Sequence, residues 1–197
     1  MRQTLTLIAA SVALSGCAML NTLNSEVTTF SQWPAGRAPG TYLFDRLPSQ
    51  QSQPERQQVL EAAAQRALEG AGFVPAGPGQ PAEYSVQLGA RVNASERSLY
   101  DDPFWWHGGL FVGRGAYRGS FFGSGVGFRY VTPSYEREVA VLIRDRASGT
   151  PLFEARATND GGSPTIDSLL PAMFEAALKD FPQGGPGPRN VAVPLTK

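Results

Sequence analysis

The chain has one histidine and one cysteine among its 197 residues. With only His107, no metal site built on several imidazoles can form. With only Cys17, no disulfide can form within the chain, so the fold must rest on its core. Charge of one sign is also lacking: 17 basic side chains face 17 acidic ones. That balance argues against a nucleic-acid partner, which calls for a basic excess. No apolar run reaches the roughly 20 residues that cross a bilayer. No repeat of fixed period is evident. The abundant residues are 22 glycines and 16 prolines, concentrated in prospective loops and at both ends.

The longest uncharged apolar stretch is residues 4–15, TLTLIAASVALS, directly after Arg2 and Gln3. It is too short to span a membrane and fits the apolar region of a secretory signal. Ser15 and Gly16 are small and give a peptidase access to the backbone. The phrase Leu14-Ser15-Gly16-Cys17 resembles the lipobox of bacterial lipoproteins. The resemblance implies a diacylglyceryl thioether on Cys17, cleavage between Gly16 and Cys17, and acylation of the new amine, palmitate being a typical chain. A thiol is well suited to this alkylation because its thiolate is a strong nucleophile. Each buried CH₂ adds about 0.8 kcal/mol, so several acyl chains anchor firmly. Ala18 follows where aspartate would imply retention at the inner membrane, so the same resemblance implies a periplasm-facing place on the outer membrane.

The remainder is the size of one domain. Four segments are expected: a signal peptide at 1–16, a lipidated tether at 17–25, an α+β domain at 26–182 with an insert at 100–133, and a flexible C-terminal tail at 183–197. Residues 27–33 and 41–44 (TYLF) read as strands. "SQPERQQVLEAAAQRALEGAGF" reads as a helix, with Ser52 and Glu55 as a capping box and Pro54 in the first turn. Its apolar stripe is Val59, Leu60, Ala63, Ala67, Leu68 and Ala71, and Gly70 and Gly72 mark its end. Tyr84, Val86, Leu88, Ala90 and Val92 alternate with polar or small residues, the pattern of a half-buried strand. Residues 138–146 and 151–158 read as a hairpin turning near Ser148-Gly149, with Phe153, Ala155 and Ala157 facing the core. A second helix carries Ile166, Leu169, Leu170, Met173, Phe174, Ala177, Leu178 and Phe181. Pro171 requires that it begin near Ser168 or kink. The order β-β-α-β-insert-β-β-α predicts a two-layer α+β domain: a mostly antiparallel sheet with two amphipathic helices on one face.

Several phrases in that order carry a family resemblance. They are Thr29-Phe30, Gly40-Thr41-Tyr42-Leu43-Phe44, Leu68-Glu69-Gly70-Ala71-Gly72-Phe73 and Pro81-Ala82-Glu83-Tyr84-Ser85-Val86. Leu142-Ile143-Arg144-Asp145 with Leu152-Phe153-Glu154-Ala155, and Phe181-Pro182, complete the set. Together, behind a lipobox, they resemble the DUF4136 family of bacterial lipoproteins over residues 25–182. Phe44 and Phe153 stand where that family favours tryptophan, and Glu83 where it favours aspartate. The resemblance implies fold and envelope location and brings no catalytic site.

Chemistry is sparse. His107 would have to serve any Ser-His-Asp arrangement with Ser120, Ser124, Asp101 or Asp102, and no nucleophile-elbow motif accompanies them. Asp101-Asp102 and Asp160-Gly161-Gly162 lack the alternating oxygen ligands of a calcium loop and read as turns. "GRGAYRG" has no Lys-Ser and is not a phosphate loop. No catalytic residue, metal or cofactor is therefore expected.

The unusual segment is the insert, where Trp105, Trp106, Phe111, Tyr117, Phe121 and Phe122 sit among glycines with Arg114, Arg118 and Arg129 interleaved. Aromatic side chains supply contact area and stacking surface. The bland reading is a variable connection between two strands. The functional readings are docking to an envelope protein, self-association, membrane contact or glycan stacking. The expected role is a lipid-anchored, non-enzymatic binding or structural module of the cell envelope. The alternative is an envelope hydrolase or glycan-binding enzyme built around His107. Cys17→Ser is expected to abolish metabolic labelling with palmitate and to release the protein from membranes, as read by fractionation; labelling that persisted in the variant would exclude Cys17 as the acceptor.

Overall fold

The computed structural model describes residues 21–95, 134–185 and 187–195. Seven strands lie among them: β1 (Thr22–Ser31), β2 (Thr41–Phe44), β3 (Val74–Pro75), β4 (Tyr84–Ser95), β5 (Ser134–Asp145), β6 (Pro151–Gly161) and β7 (Arg189–Pro194). They form one sheet in the order β3-β2-β4-β5-β6-β1-β7. β2 runs parallel to β3 and β4, and every other pairing is antiparallel. Helices α1 (Pro48–Gln51), α2 (Pro54–Gly70) and α3 (Leu170–Leu178) accompany it. The α+β, mostly antiparallel architecture is thus the one the sequence predicts.

Period-2 patterning decides which face is covered. Tyr84, Val86 and Leu88 of β4, Val139, Val141 and Ile143 of β5, and Phe153, Ala155 and Ala157 of β6 are all buried. β4 and β5 pair without a shift from Tyr84↔Asp145 to Ser95↔Ser134, so these residues share one face. α3 packs on that face against β1, β5, β6 and β7, while α2 packs beside it and on β4. Met173, Phe174 and Leu68 close the core from the helix side. The opposite face carries Glu154, Arg156 and Thr158 toward solvent, as expected.

Helix boundaries differ from the sequence reading in instructive ways. Ser52 does not cap α2. Gln53 is its N-cap, with no side-chain cap, and Ser52 ends α1 instead, its hydroxyl donating to the Ser49 carbonyl at 2.7 Å. The buried stripe of α2 is Gln57, Leu60, Ala64, Ala67 and Leu68. Val59 is 51% exposed, because the helix is rotated to bring Ala64 onto the core. The end of α2 closes as the glycines predict: Gly72 has φ +92°, with Gly72 N–H bonding Glu69 O and Phe73 N–H bonding Leu68 O. A β-carbon would strain this conformation. In the second helix a 3₁₀ turn at Asp167–Leu169 precedes α3, and Pro171 falls in the first turn of α3, where its missing N–H costs nothing.

Two terminal expectations are corrected. The tether expected at 17–25 is strand from Thr22 onward, and the tail expected to be flexible at 183–197 contains β7. The two segments pair with each other, from Thr22↔Pro194 to Val27↔Arg189, so each supplies the backbone partners the other lacks. Val191 and Val193 are buried against α3.

Both outer strands hold a proline at a telling position. Val74 N–H bonds Gly40 O and Ala76 N–H bonds Tyr42 O, so the nitrogen of Pro75 faces the open edge. Leu195 N–H bonds Asn21 O, so alternation likewise turns the nitrogen of Pro194 outward.

Ending the chain at residue 188 is expected to lower the urea midpoint markedly. Burial of Val191 and Val193 contributes about 1.5–3 kcal/mol each. A loose tail would leave the midpoint unchanged.

Candidate functional site

The sheet has two unlike ends. At the lower end, where β1 finishes and β4 begins, an aromatic cluster is tied down by ions. Trp33 stacks on Tyr84 with ring centroids 5.2 Å apart and meets Phe181 edge-on at 4.7 Å. Its indole N–H donates to Arg37 O at 2.8 Å. Arg37 Nε donates to Tyr84 Oη and its Nη2 to Asp145 Oδ2, both at 2.7 Å. The guanidinium also lies 4.8 Å from the centroid of the Tyr84 ring. Asp145 Oδ1 in turn accepts from the backbone N–H and the hydroxyl of Ser148, each at 2.9 Å. The Ser148 N–H first, then Arg37 and the Ser148 hydroxyl, hold the Asp145 carboxyl down at about 2. These bonds make a structural clasp joining the β1–β2 connection to the β5–β6 turn.

Nearby, Tyr42 Oη is buried without a hydrogen-bond partner. Burial first, then the charges of Glu69 and Glu61, push its phenol up to about 12.

Among the described residues the upper end is open. The first residue of β1, the last of β4, the first of β5 and the last residues of β6 and β7 all lie here, as the pairs Thr22↔Pro194, Ser95↔Ser134 and Tyr135↔Gly161 show. Residues 96–133 leave and rejoin the sheet at this end. β1 pairs with β6 only from Glu26↔Thr158 onward. Before that point β1 stays with β7, and Asn159–Gly161 stay with β5. The two ribbons part as a fork, bridged by Asn159 Nδ2 donating to Asn24 O at 2.7 Å. A cleft of about 750 Å³ occupies the fork.

On the helix-facing side of the fork three polar side chains stand in one cross-strand row. Arg137 is directly opposite Asn159, and Ser25 is one step beyond the Glu26↔Thr158 pair. Arg137 is 7% exposed and Ser25 1%. Arg137 Nε, Asn159 Oδ1 and Ser25 Oγ are each buried with no hydrogen-bond partner. The Arg137 guanidinium makes one long bond, from Nη1 to Thr165 O at 3.4 Å. It lies where a β-carbon on Gly161 would stand, so glycine there makes room for it. Among the described residues no carboxylate forms an ion pair with Arg137. On the opposite side of the fork Glu136 faces Asp160 across the β5–β6 pair, and Glu26 lines the same cleft.

Gly16, Cys17, Trp105, Trp106, His107, Phe111, Tyr117, Phe121 and Phe122 lie outside the described residues, as do Asp101, Asp102, Ser120 and Ser124. Asp160 and Gly161, read as a turn, close β6 instead, because Tyr135 and Glu136 of β5 pair with them. Sequence reasoning missed Ser25, Arg137 and Asn159. The signal was present: Arg137 has the parity of Val139, Val141 and Ile143, and Asn159 that of Phe153, Ala155 and Ala157. A charge at a core-facing position of a strand marks a buried ion. Among the described residues no three His, Cys, Asp or Glu side chains are grouped to hold a metal ion. No helix among them is long and apolar enough to cross a membrane.

The sequence profile of a family described as "Domain of unknown function (DUF4136)" matches residues 26–183. The chain belongs to the DUF4136 family. The DUF4136 match runs from Glu26, where β1 begins to pair with β6, through α3, and leaves β7 outside it. No curated protein matches the chain. Among solved structures, a PDZ domain protein from Parabacteroides distasonis shares the fold at 14% identity, with a TM-score of 0.52 over 91% of this chain. The chain spans 41% of that protein's length. The PelC dodecamer from Paraburkholderia phytofirmans is similar at 14% identity, with a TM-score of 0.44 over 77% of this chain and 95% of that one.

The lower clasp of this DUF4136 domain generates a pH prediction. A carboxyl with a depressed folded pKa stabilises the fold above its unfolded value, about 4, and that contribution fades as pH falls through the folded one. Stability followed by circular dichroism in urea is expected to decline between pH ~4 and about 2. Asp145→Asn is expected to flatten that segment and to lower stability at neutral pH. An acid profile identical in the variant would show that another carboxyl governs it.

Proposed function

We propose that this DUF4136 chain is a lipid-anchored, non-enzymatic module of the cell envelope that acts by contact from the upper end of its sheet. The observation that carries this reading is the convergence at that end. β1 begins there at Thr22, and only residues 18–21 separate it from Cys17. Those four residues reach at most about 14 Å when fully extended. An acylated Cys17 would therefore hold the upper end close to the bilayer surface. Residues 96–133, with Trp105, Trp106, Phe111, Tyr117, Phe121 and Phe122, leave and rejoin the sheet at this same end. They would meet whatever lies at that surface: an envelope protein, a second copy of the chain, or the membrane itself.

Four ion pairs among the described residues hold the scaffold, which fits a non-catalytic role. Arg37–Asp145, Arg46–Glu61, Arg91–Glu138 and Arg156–Glu154 are each paired, the last two beside one another on the sheet.

A photoreactive residue in place of Trp106 tests the reading in cells. A discrete protein adduct, identified by mass spectrometry and lost on deleting residues 100–133, is the expected result. Retention of every partner by the deletion variant would overturn the role of that segment.

A further inference from the structure

The fork at the upper end offers an inference independent of the role of residues 96–133. We propose that its cleft binds a small zwitterion: a ligand carrying both a carboxylate and an ammonium group, as a free amino acid or a short peptide does.

Arginine stays protonated at any accessible pH, so Arg137 is a buried cation. A buried ion without a counter-ion is strongly disfavoured and normally pairs or is replaced. Here its Nε–H is unpaired, Ser25 Oγ is unpaired, and both lie in the same cross-strand row as Asn159. Arg137 lines the cleft, and the planar fork of N–H donors on its guanidinium is the side-chain shape best suited to hold a carboxylate. Asn159 has a different use. Its amide NH₂ donates to Asn24 O, which leaves Oδ1 as an acceptor without a donor. An N–H on the ligand would satisfy it.

The lip of the cleft supplies the second charge preference. Glu136 and Asp160 stand directly opposite each other, an arrangement that like charges disfavour in a sheet. With Glu26 they place three carboxylates on a cleft that holds one guanidinium. A simple anion would meet these carboxylates, and a simple cation would leave Arg137 unpaired. A ligand with both groups answers both demands. The volume, about 750 Å³, lies within the range of small-molecule sites.

Calorimetric titration of the full-length chain with L-alanine, L-glutamate and an Ala-Ala dipeptide tests this, with acetate and methylamine as single-charge controls. The zwitterions are expected to give saturable heats and the controls none. Tighter binding of the dipeptide would assign the site to peptide ends, and tighter binding of the amino acids to free amino acids. Arg137→Met is expected to weaken binding at least about 30-fold, the low end for truncating one partner of a buried charge pair. It is also expected to leave the ligand-free melting temperature unchanged or raised, because it removes an unpaired buried charge. Glu136→Gln with Asp160→Asn, altering exposed or half-exposed side chains, is expected to weaken the zwitterions and admit acetate. The proposal is overturned if no zwitterion gives a saturable heat, or if acetate binds the unaltered chain as tightly as alanine. It also fails if Arg137→Met lowers the ligand-free melting temperature as a core cavity would, which would make Arg137 a structural residue with bound water on its Nε.

Discussion

The constraint on which the rest depends is the twelve-residue register between β4 and β5, unbroken from Tyr84↔Asp145 to Ser95↔Ser134. It puts Val86 and Leu88 on the same face as Val139, Val141 and Ile143, under the helices. A slip of one residue would carry that whole set to the solvent side. The same parity delivers Arg137 to the inner face. It is there because the alternation that builds the core continues past the point where there is core to build. α3 has nine residues and is about 14 Å long, whereas a twelve-residue strand runs about 40 Å. A helix that short leaves part of the inner face of β5, β6 and β1 without its cover, and the polar row lies in that part.

The two ends of the sheet carry unlike polar clusters, although Tyr42 Oη near the lower one is also buried without a partner. At the lower end Arg37, Tyr84, Asp145 and Ser148 satisfy one another and hold the aromatic cluster in place. At the upper end the strands part and polar atoms remain without partners inside the fold. Fully satisfied networks rigidify, and partly satisfied ones are costly unless something else completes them. The tight end therefore holds the scaffold, while the parted end is where contact with another molecule can stabilise it.

How much of this was legible follows from what each signal depends on. The alternation in β4 and the β5–β6 hairpin was plain because burial of one face imposes period 2 on the sequence itself. β2 and the glycine close of α2 were readable for similarly local reasons. β7 was not, since Arg189–Pro194 is a strand only because β1, near the other end of the chain at Thr22–Val27, has a free edge, and its flanking glycines and prolines point to a loop. The capping box failed because Ser52 was already engaged in ending α1, a one-turn helix too short to leave a period. The upper cleft was half visible. A charged residue with core parity could be seen at Arg137, but its conjunction with Ser25 and Asn159 depends on pairing between strands far apart in the chain.

The outward-facing nitrogens of Pro75 and Pro194 bear on crowding. An edge strand offers its unpaired N–H groups to any neighbouring strand, and many copies held on a surface would meet edge to edge far more often than in dilution. At each rim of this sheet one of the outward donors is deleted covalently, and no change of conditions can restore it. Sheet-by-sheet polymerisation is thereby discouraged at both margins, leaving association to side chains, which can be selective in a way that backbone pairing cannot.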